Sequence, residues 1–122
     1  MDNALWDPVC HASLRRFTDA SEFMRGRLLF SNPDSSKAKK RYDRTWQQRR
    51  NVTVRMSYDE GKTWPVSKVI EPGPSGYSDI AIRSDGTICL LYEKGGGTKS
   101  LSLARFNVEW LTDQEDFLIR RK

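Results

Sequence analysis

Residues 51–57, Asn-Val-Thr-Val-Arg-Met-Ser, alternate between apolar and polar side chains. Val52, Val54 and Met56 fall on one face and Thr53, Arg55 and Ser57 on the other, which predicts a half-buried strand. Ser13–Phe17 and Arg27–Ser31 read as earlier strands, the second stopped by Asn32-Pro33. Val66–Ile70 reads as another, broken by Glu71-Pro-Gly-Pro74. Asp79–Ile82 and Thr87–Tyr92 flank Ser84-Asp85-Gly86, and Asp-Gly supplies the positive φ angles of a tight hairpin turn. After the flexible link Gly95-Gly-Gly97, Ser100–Asn107 is the last strand, and a short helix is expected from Val108 through Trp110 and Leu111. Residues 33–50 show no period and are expected to form a long loop, a feature that is often functional in a compact domain. The end, Arg120-Arg-Lys122, is expected to fray.

About seven short strands joined by Gly and Asp turns predict an all-β sandwich, barrel or propeller. A propeller blade takes roughly 40–50 residues in four strands, so 122 residues supply about two to three blades. A closed ring needs at least about four blades, so on the propeller reading the chain is part of a ring. Residues 1–112 are assigned to that unit and 113–122 to a C-terminal tail.

Composition narrows the picture. Hydrophobic residues make up 37% and charged residues 30%, and Trp6, Trp46, Trp64 and Trp110 add four large apolar bodies. That content argues for a packed core and against intrinsic disorder. The net charge of +5 is local: residues 37–50 hold seven basic side chains and one acid, while the remainder holds 14 basic and 15 acidic. This segment reads first as a solvated basic loop. Polyanion binding is a weaker reading, because no nucleic-acid recognition motif accompanies it.

Cys10 and Cys89 allow at most one disulfide, and Cys89, within an apolar strand pattern, reads as a buried free thiol. His11 beside Cys10 lacks metal-site spacing, so no metal or cofactor is expected. No apolar run approaches the ~20 residues of a membrane span, and Met1–Leu14 lacks the pattern of a signal peptide. The compartment is left open. Asn51-Val-Thr53 has the form of a glycosylation sequon but lies in a predicted strand.

One motif discriminates among the all-β folds. Ser57-Tyr-Asp-Glu-Gly-Lys-Thr-Trp64 fits S-x-D-x-G-x-T-W, the Asp-box, at every specified position. Asp59 suits the acceptor role of an Asx turn, and Gly61 admits a backbone closed to other residues. Ser57 and Thr63 suit bonds across the turn, and Trp64 packs on the hairpin. The motif is structural, sits at blade hairpins away from ligands, and does not by itself name an activity.

Its context does. The strand 51–57, the Asp-box, Pro65–Val69, Gly76-Tyr-Ser-Asp79, Asp85-Gly-Thr87 and Leu90-Leu-Tyr-Glu93 follow in an order that resembles the C-terminal region of bacterial-type sialidases (neuraminidases). Segments 9–17 and 27–32 resemble the approach to that region, so the resemblance covers roughly residues 5–112.

The resemblance implies a six-bladed β-propeller with a central site and exo-α-sialidase chemistry on sialylated glycoconjugates. It implies that Tyr77 is the nucleophile of a retaining mechanism. By the same resemblance Arg49 is the third of three arginines that hold the substrate carboxylate, with Arg50 its adjacent competitor and Arg55 a weaker candidate. Glu93 corresponds to a carboxylate that orients the first arginine, although an exposed strand-end glutamate is an equal reading of the residue.

The family's acid/base Asp, the Glu that activates the tyrosine and two arginines are expected upstream of the matched region. Arg25-Gly26-Arg27 does not resemble the first arginine's setting. An unassisted phenol stays protonated at neutral pH, so the chain alone is expected to be a poor catalyst that needs the missing blades, from an upstream segment or another chain. The alternative is a non-catalytic sialic-acid or glycan-binding relic.

Overall fold

The computed structural model describes residues 12–34, 49–96 and 99–122. Six antiparallel strands pair in chain order: β1 (Ser13–Thr18), β2 (Arg27–Pro33), β3 (Arg50–Ser57), β4 (Val66–Ile82), β5 (Ile88–Lys94) and β6 (Ser100–Phe106). One short helix follows, α1 (Val108–Leu111), capped by Asn107, whose side chain accepts from the Trp110 N–H at 2.8 Å. The fold is all-β and fits a partial propeller. The basic segment of residues 37–48, like Cys10 and His11, lies outside the described residues.

β4 serves two ladders. Residues 66–74 pair with β3, and 75–82 pair with β5. One half of the sheet therefore has four strands and the other three. Both ends of β4 lie at the Asp-box end of the molecule. Val66 is the partner of Met56, while Ile82 lines a cavity with Phe17 and Thr18, whose β2 partner Arg27 lies next to the Leu28–Ser57 pair. The chain therefore climbs from the Asp-box, turns at 71–76 and returns. The break expected at Glu71–Pro74 is this turn inside one extended segment, which is why six strands replace the expected seven.

The turn is held by side chains because prolines cannot donate to a ladder. Gly73, at φ 89°, gives its N–H to Asn51 Oδ1 at 2.9 Å, and Asn51 itself sits at φ 57°. The Ser75 N–H reaches the Arg49 carbonyl at 3.1 Å, Ser75 Oγ accepts from the Val52 N–H at 3.1 Å, and the Gly95 N–H reaches the Pro74 carbonyl at 2.9 Å. The Tyr92 hydroxyl donates to Glu71 Oε1 at 2.8 Å, and burial together with that carboxylate pushes the Tyr92 phenol up from its ordinary pKa.

Leu29, Val52, Val54 and Met56 from the first half meet Ile80, Ile88, Leu90 and Tyr92 from the second in the core, with Phe17, Val108 and Leu111. Burial of each aliphatic side chain contributes about 1.5–3 kcal/mol. The two halves are also stitched by polar pairs: Ser31 Oγ lies 2.8 Å from Ser78 Oγ, and Ser13 Oγ donates to Asp79 Oδ1 at 3.1 Å. β3 departs from a half-buried strand, since all of Val52–Ser57 is buried. Its polar positions find local partners instead of water: Arg55 pairs with Asp34 at 3.4 Å, and Ser57 becomes the hub of the Asp-box.

The last ten residues are fastened to the sheet. The Met24 N–H reaches the Ile119 carbonyl and the Arg121 N–H the Glu22 carbonyl, both at 2.8 Å, and Phe23 bridges Arg120. Arg27, 2% exposed, makes a bidentate pair with Asp116, Nε to Oδ2 and Nη2 to Oδ1, each at 2.8 Å. Fraying at Arg120 is replaced by docking, because the carboxylate that meets Arg27 is supplied from across 89 positions of sequence.

Candidate functional site

The Asp-box is fully assembled. Ser57 Oγ donates to Asp59 Oδ1 at 2.8 Å and accepts from the Gly61 N–H at 2.9 Å. Asp59 also takes the Thr63 N–H at 2.8 Å and the Thr63 hydroxyl at 2.5 Å. These donors, Thr63 first and then Ser57, hold the Asp59 carboxyl at a pKa of about 2. Gly61 adopts φ 88°, and Trp64 packs on Phe30 with ring centres 6.0 Å apart. The side chains of Ser57, Asp59 and Thr63 are thus engaged within the turn itself.

Tyr77 lies at the other end. Five steps of extended chain carry it to Ile82, roughly 17 Å at about 3.3 Å per step. Three segments meet there. The Arg49 guanidinium carbon is 5.4 Å from the centre of the Tyr77 ring, within cation–π range. Glu93 on β5 accepts the Tyr77 N–H at 3.0 Å through Oε1. Tyr77 is 47% exposed, so its ring stands at the surface and not in a dry interior.

The three arginines of the sequence reading separate cleanly. Arg49 is half-buried beside Tyr77, fixed by its carbonyl's bond to the Ser75 N–H. Arg50 is exposed in the ladder opposite Pro74. Arg55 is buried against Asp34. Arg27 is locked to Asp116 at the Asp-box end, far from Tyr77.

Tyr77, Ser78, Asp79, Leu91, Glu93 and Leu101 border a shallow depression of about 200 Å³. A larger cavity, about 690 Å³, lies instead among the turns at the Asp-box end, against Phe23, Arg83 and Arg120. The Tyr77 cluster and this larger cavity are therefore at opposite ends, and of the two only the first combines an exposed phenol with a guanidinium and a carboxylate.

Sequence reasoning missed Asn51 and Ser75, which hold the turn that sets Arg49 beside Tyr77. The signal was present in two features, an Asn opening a strand and a Pro-Gly-Pro-Ser-Gly run directly before the tyrosine. The sequon at Asn51 is structural here, since its amide is engaged by Gly73 and Thr53 is buried. Cys89 is a free, half-buried thiol. Among the described residues no group of three His, Cys, Asp or Glu side chains could hold a metal ion. No helix of the described residues is long and apolar enough to cross a membrane.

No protein-family profile matches the chain. A sialidase of Micromonospora viridifaciens is 43% identical over 114 residues, covering 91% of this chain and 16% of that protein. The solved structure of a Hadza microbial sialidase superposes with a TM-score of 0.64 at 29% identity, over 86% of this chain and 19% of the other. A leech intramolecular trans-sialidase gives a TM-score of 0.61 at 20% identity, over 86% and 17%, and supports the fold alone. The chain thus spans less than one fifth of the length of these relatives. With that identity carried across nine-tenths of its length and the same strand architecture beneath it, the chain belongs to the sialidase family.

Proposed function

We propose that this chain is the portion of an exo-α-sialidase that supplies the tyrosine nucleophile and one carboxylate-binding arginine. The observation that carries this reading is the meeting of Arg49 and Tyr77, 5.4 Å from guanidinium carbon to ring centre, at an exposed rim. A guanidinium donates two parallel bonds to a carboxylate and stays charged, so Arg49 fixes the acidic sugar over the phenol.

The anomeric carbon of sialic acid bears that carboxylate, which repels an anionic Asp or Glu nucleophile. A phenol avoids the repulsion until a base removes its proton. Tyr77 Oη then forms a bond to the anomeric carbon as the glycosidic bond breaks, and the leaving oxygen takes a proton from an acid. Water releases the sugar in a second displacement, with net retention. The acid, the base and the other two arginines belong to parts of the protein outside this chain, and Glu93 is assigned to orient one of those arginines. No cofactor enters the scheme.

The test has two arms. The chain titrated with N-acetylneuraminic acid is expected to show weak binding that falls at least about tenfold in Arg49→Ala, followed by amide shifts. Hydrolysis of a fluorogenic sialoside by the longer protein is expected to collapse in Tyr77→Phe. Binding indifferent to Arg49 refutes the carboxylate role. Binding that depends on Arg49 with hydrolysis indifferent to Tyr77 leaves the non-catalytic glycan-binding reading.

A further inference from the structure

Glu93 carries a function besides any contact with an arginine. The geometry points to Glu93 as the positioning residue of Tyr77, acting through a β-bulge that its carboxylate stabilises. This rests on Tyr77 being the working side chain of the site, as argued above.

The bulge is visible in the ladder. Ser75 opposes Lys94 and Ser78 opposes Tyr92, so three steps on β4 face two on β5, and the extra backbone falls at Gly76–Tyr77. A bulge removes a backbone group from regular pairing, bends the strand and re-aims a side chain. Here the N–H at the bulge is that of Tyr77, and it is taken by Glu93 Oε1 at 3.0 Å. An amide bonded to a carboxylate is a charge-assisted pair, stronger than an ordinary ladder bond. The carboxylate thus substitutes for the lost β5 carbonyl at the one residue whose ring must face the ligand.

Gly76 is the complementary half of the device. A Cβ at position 76 would stand 2.8 Å from Glu93 Oε1, closer than real contacts allow. Gly76 has no positive φ in this structure, so the requirement is space for the carboxylate and not backbone freedom. Lys99 Nζ, 3.5 Å from the same oxygen, is the neighbouring charge from the far side, and Arg49 is the charge on the tyrosine side. Glu93 is therefore a fixed strut between two strands, held where a mobile strand-end glutamate would drift.

Amide hydrogen exchange and ring contacts in the 122-residue chain test this. In the wild type the Tyr77 N–H is expected to be protected, and the Tyr77 ring to show contacts to Arg49. Glu93→Ala is expected to lower protection of that amide by on the order of tenfold or more and to weaken the ring contacts. Glu93→Gln, which keeps an acceptor oxygen, is expected to restore part of both. Gly76→Ala, with Glu93 intact, is expected to shift the same signals. The Val54 and Leu90 amides serve as folding controls and are expected to hold in all three variants.

Equal protection of the Tyr77 N–H in wild type and Glu93→Ala overturns the proposal. So does a Gly76→Ala chain whose Tyr77 signals stay in place. Either result leaves the nucleophile reading intact, because that reading depends on hydrolysis lost in Tyr77→Phe. Conversely, a coupled Glu93–Tyr77 pair in a protein whose hydrolysis ignores Tyr77→Phe sinks the nucleophile reading alone.

Discussion

Removing Asp116 should be among the most damaging single changes in this chain. Its carboxylate takes Nε and Nη2 of Arg27 at 2.8 Å each, and the Tyr58 hydroxyl at 2.8 Å. Arg27 is 2% exposed, and its remaining partners are Thr18 Oγ1 and the carbonyls of Arg25 and Phe117. Asp116→Ala therefore leaves a buried guanidinium without a counter-charge, which costs about 3–5 kcal/mol. For 122 residues, unfolding entropy near 2.1 cal/mol/K per residue amounts to about 0.26 kcal/mol/K, so the midpoint should fall by roughly 12–20 °C. Calorimetry or thermal circular dichroism reads this directly. Replacing the whole set by apolar groups, in Arg27→Met/Tyr58→Phe/Asp116→Leu, should recover most of the loss, because no charge is then stranded. The pH profile gives a second check. Burial raises the Asp116 carboxyl, but the hydrogen bonds from Arg27 and Tyr58 outweigh it and hold the pKa below its ordinary value. Stability from a depressed carboxyl is present above the unfolded value of about 3.9 and is lost as pH falls through the folded value. The acid limb should flatten in Asp116→Ala. A loss under about 1 kcal/mol, or a triple variant no better than the single one, refutes the reasoning.

Two further outcomes follow from the turns. Asp59→Ala should open the 57–64 turn to tryptic cleavage at Lys62; with the Asp59 carboxyl held at about 2, its stabilisation is present above the ordinary carboxylate range and lost as pH falls, so wild-type and variant melts should converge near pH 2. Gly86→Ala forces a side chain onto φ 90° and sets its Cβ 2.7 Å from Leu118 Cδ1. A cost of about 1–3 kcal/mol is expected, or roughly 4–12 °C in midpoint by the same conversion, and an unchanged melt counts against the tail's docking on this hairpin.

What the sequence disclosed was whatever depends on near neighbours. The Asp-box is read whole because the side-chain bonds of Ser57, Asp59 and Thr63 close within the motif. The Asp85-Gly86 hairpin and the helix at Val108 are likewise set by adjacent residues. What stayed hidden is non-local. The 71–74 segment reads as a stop because Pro and Gly usually punctuate; the amide of Asn51, more than 20 residues earlier, carries the strand through it. Thr53, Arg55 and Ser57 read as a wet face because nothing in a strand announces a partner such as Asp34. The tail reads as loose because Arg27 and Asp116 are 89 positions apart. Arg49 and Tyr77, as isolated residues, are an ordinary loop cation and an ordinary strand aromatic. Only the order of flanking motifs marked them.

The turn at 71–76 ties scaffold to site. Arg49 is placed by the Ser75 N–H, Tyr77 by the bulge immediately after, and Glu93 by the β5 ladder whose end is pinned by the Gly95–Pro74 bond. All three depend on one short stretch whose prolines cannot donate to a ladder and which Asn51 and Ser75 help to hold. A regular strand would have placed Tyr77 in register with β5 and left Glu93 to solvent. By interrupting the ladder, the turn frees one N–H for a carboxylate and brings a guanidinium over a phenol. The Asp-box end, where Ser57, Asp59 and Thr63 bond within their own turn, contributes rigidity from roughly 17 Å away. The strongest motif in the sequence is thus bonded within its own turn, while Arg49, Tyr77 and Glu93 meet beside the least regular segment of the sheet.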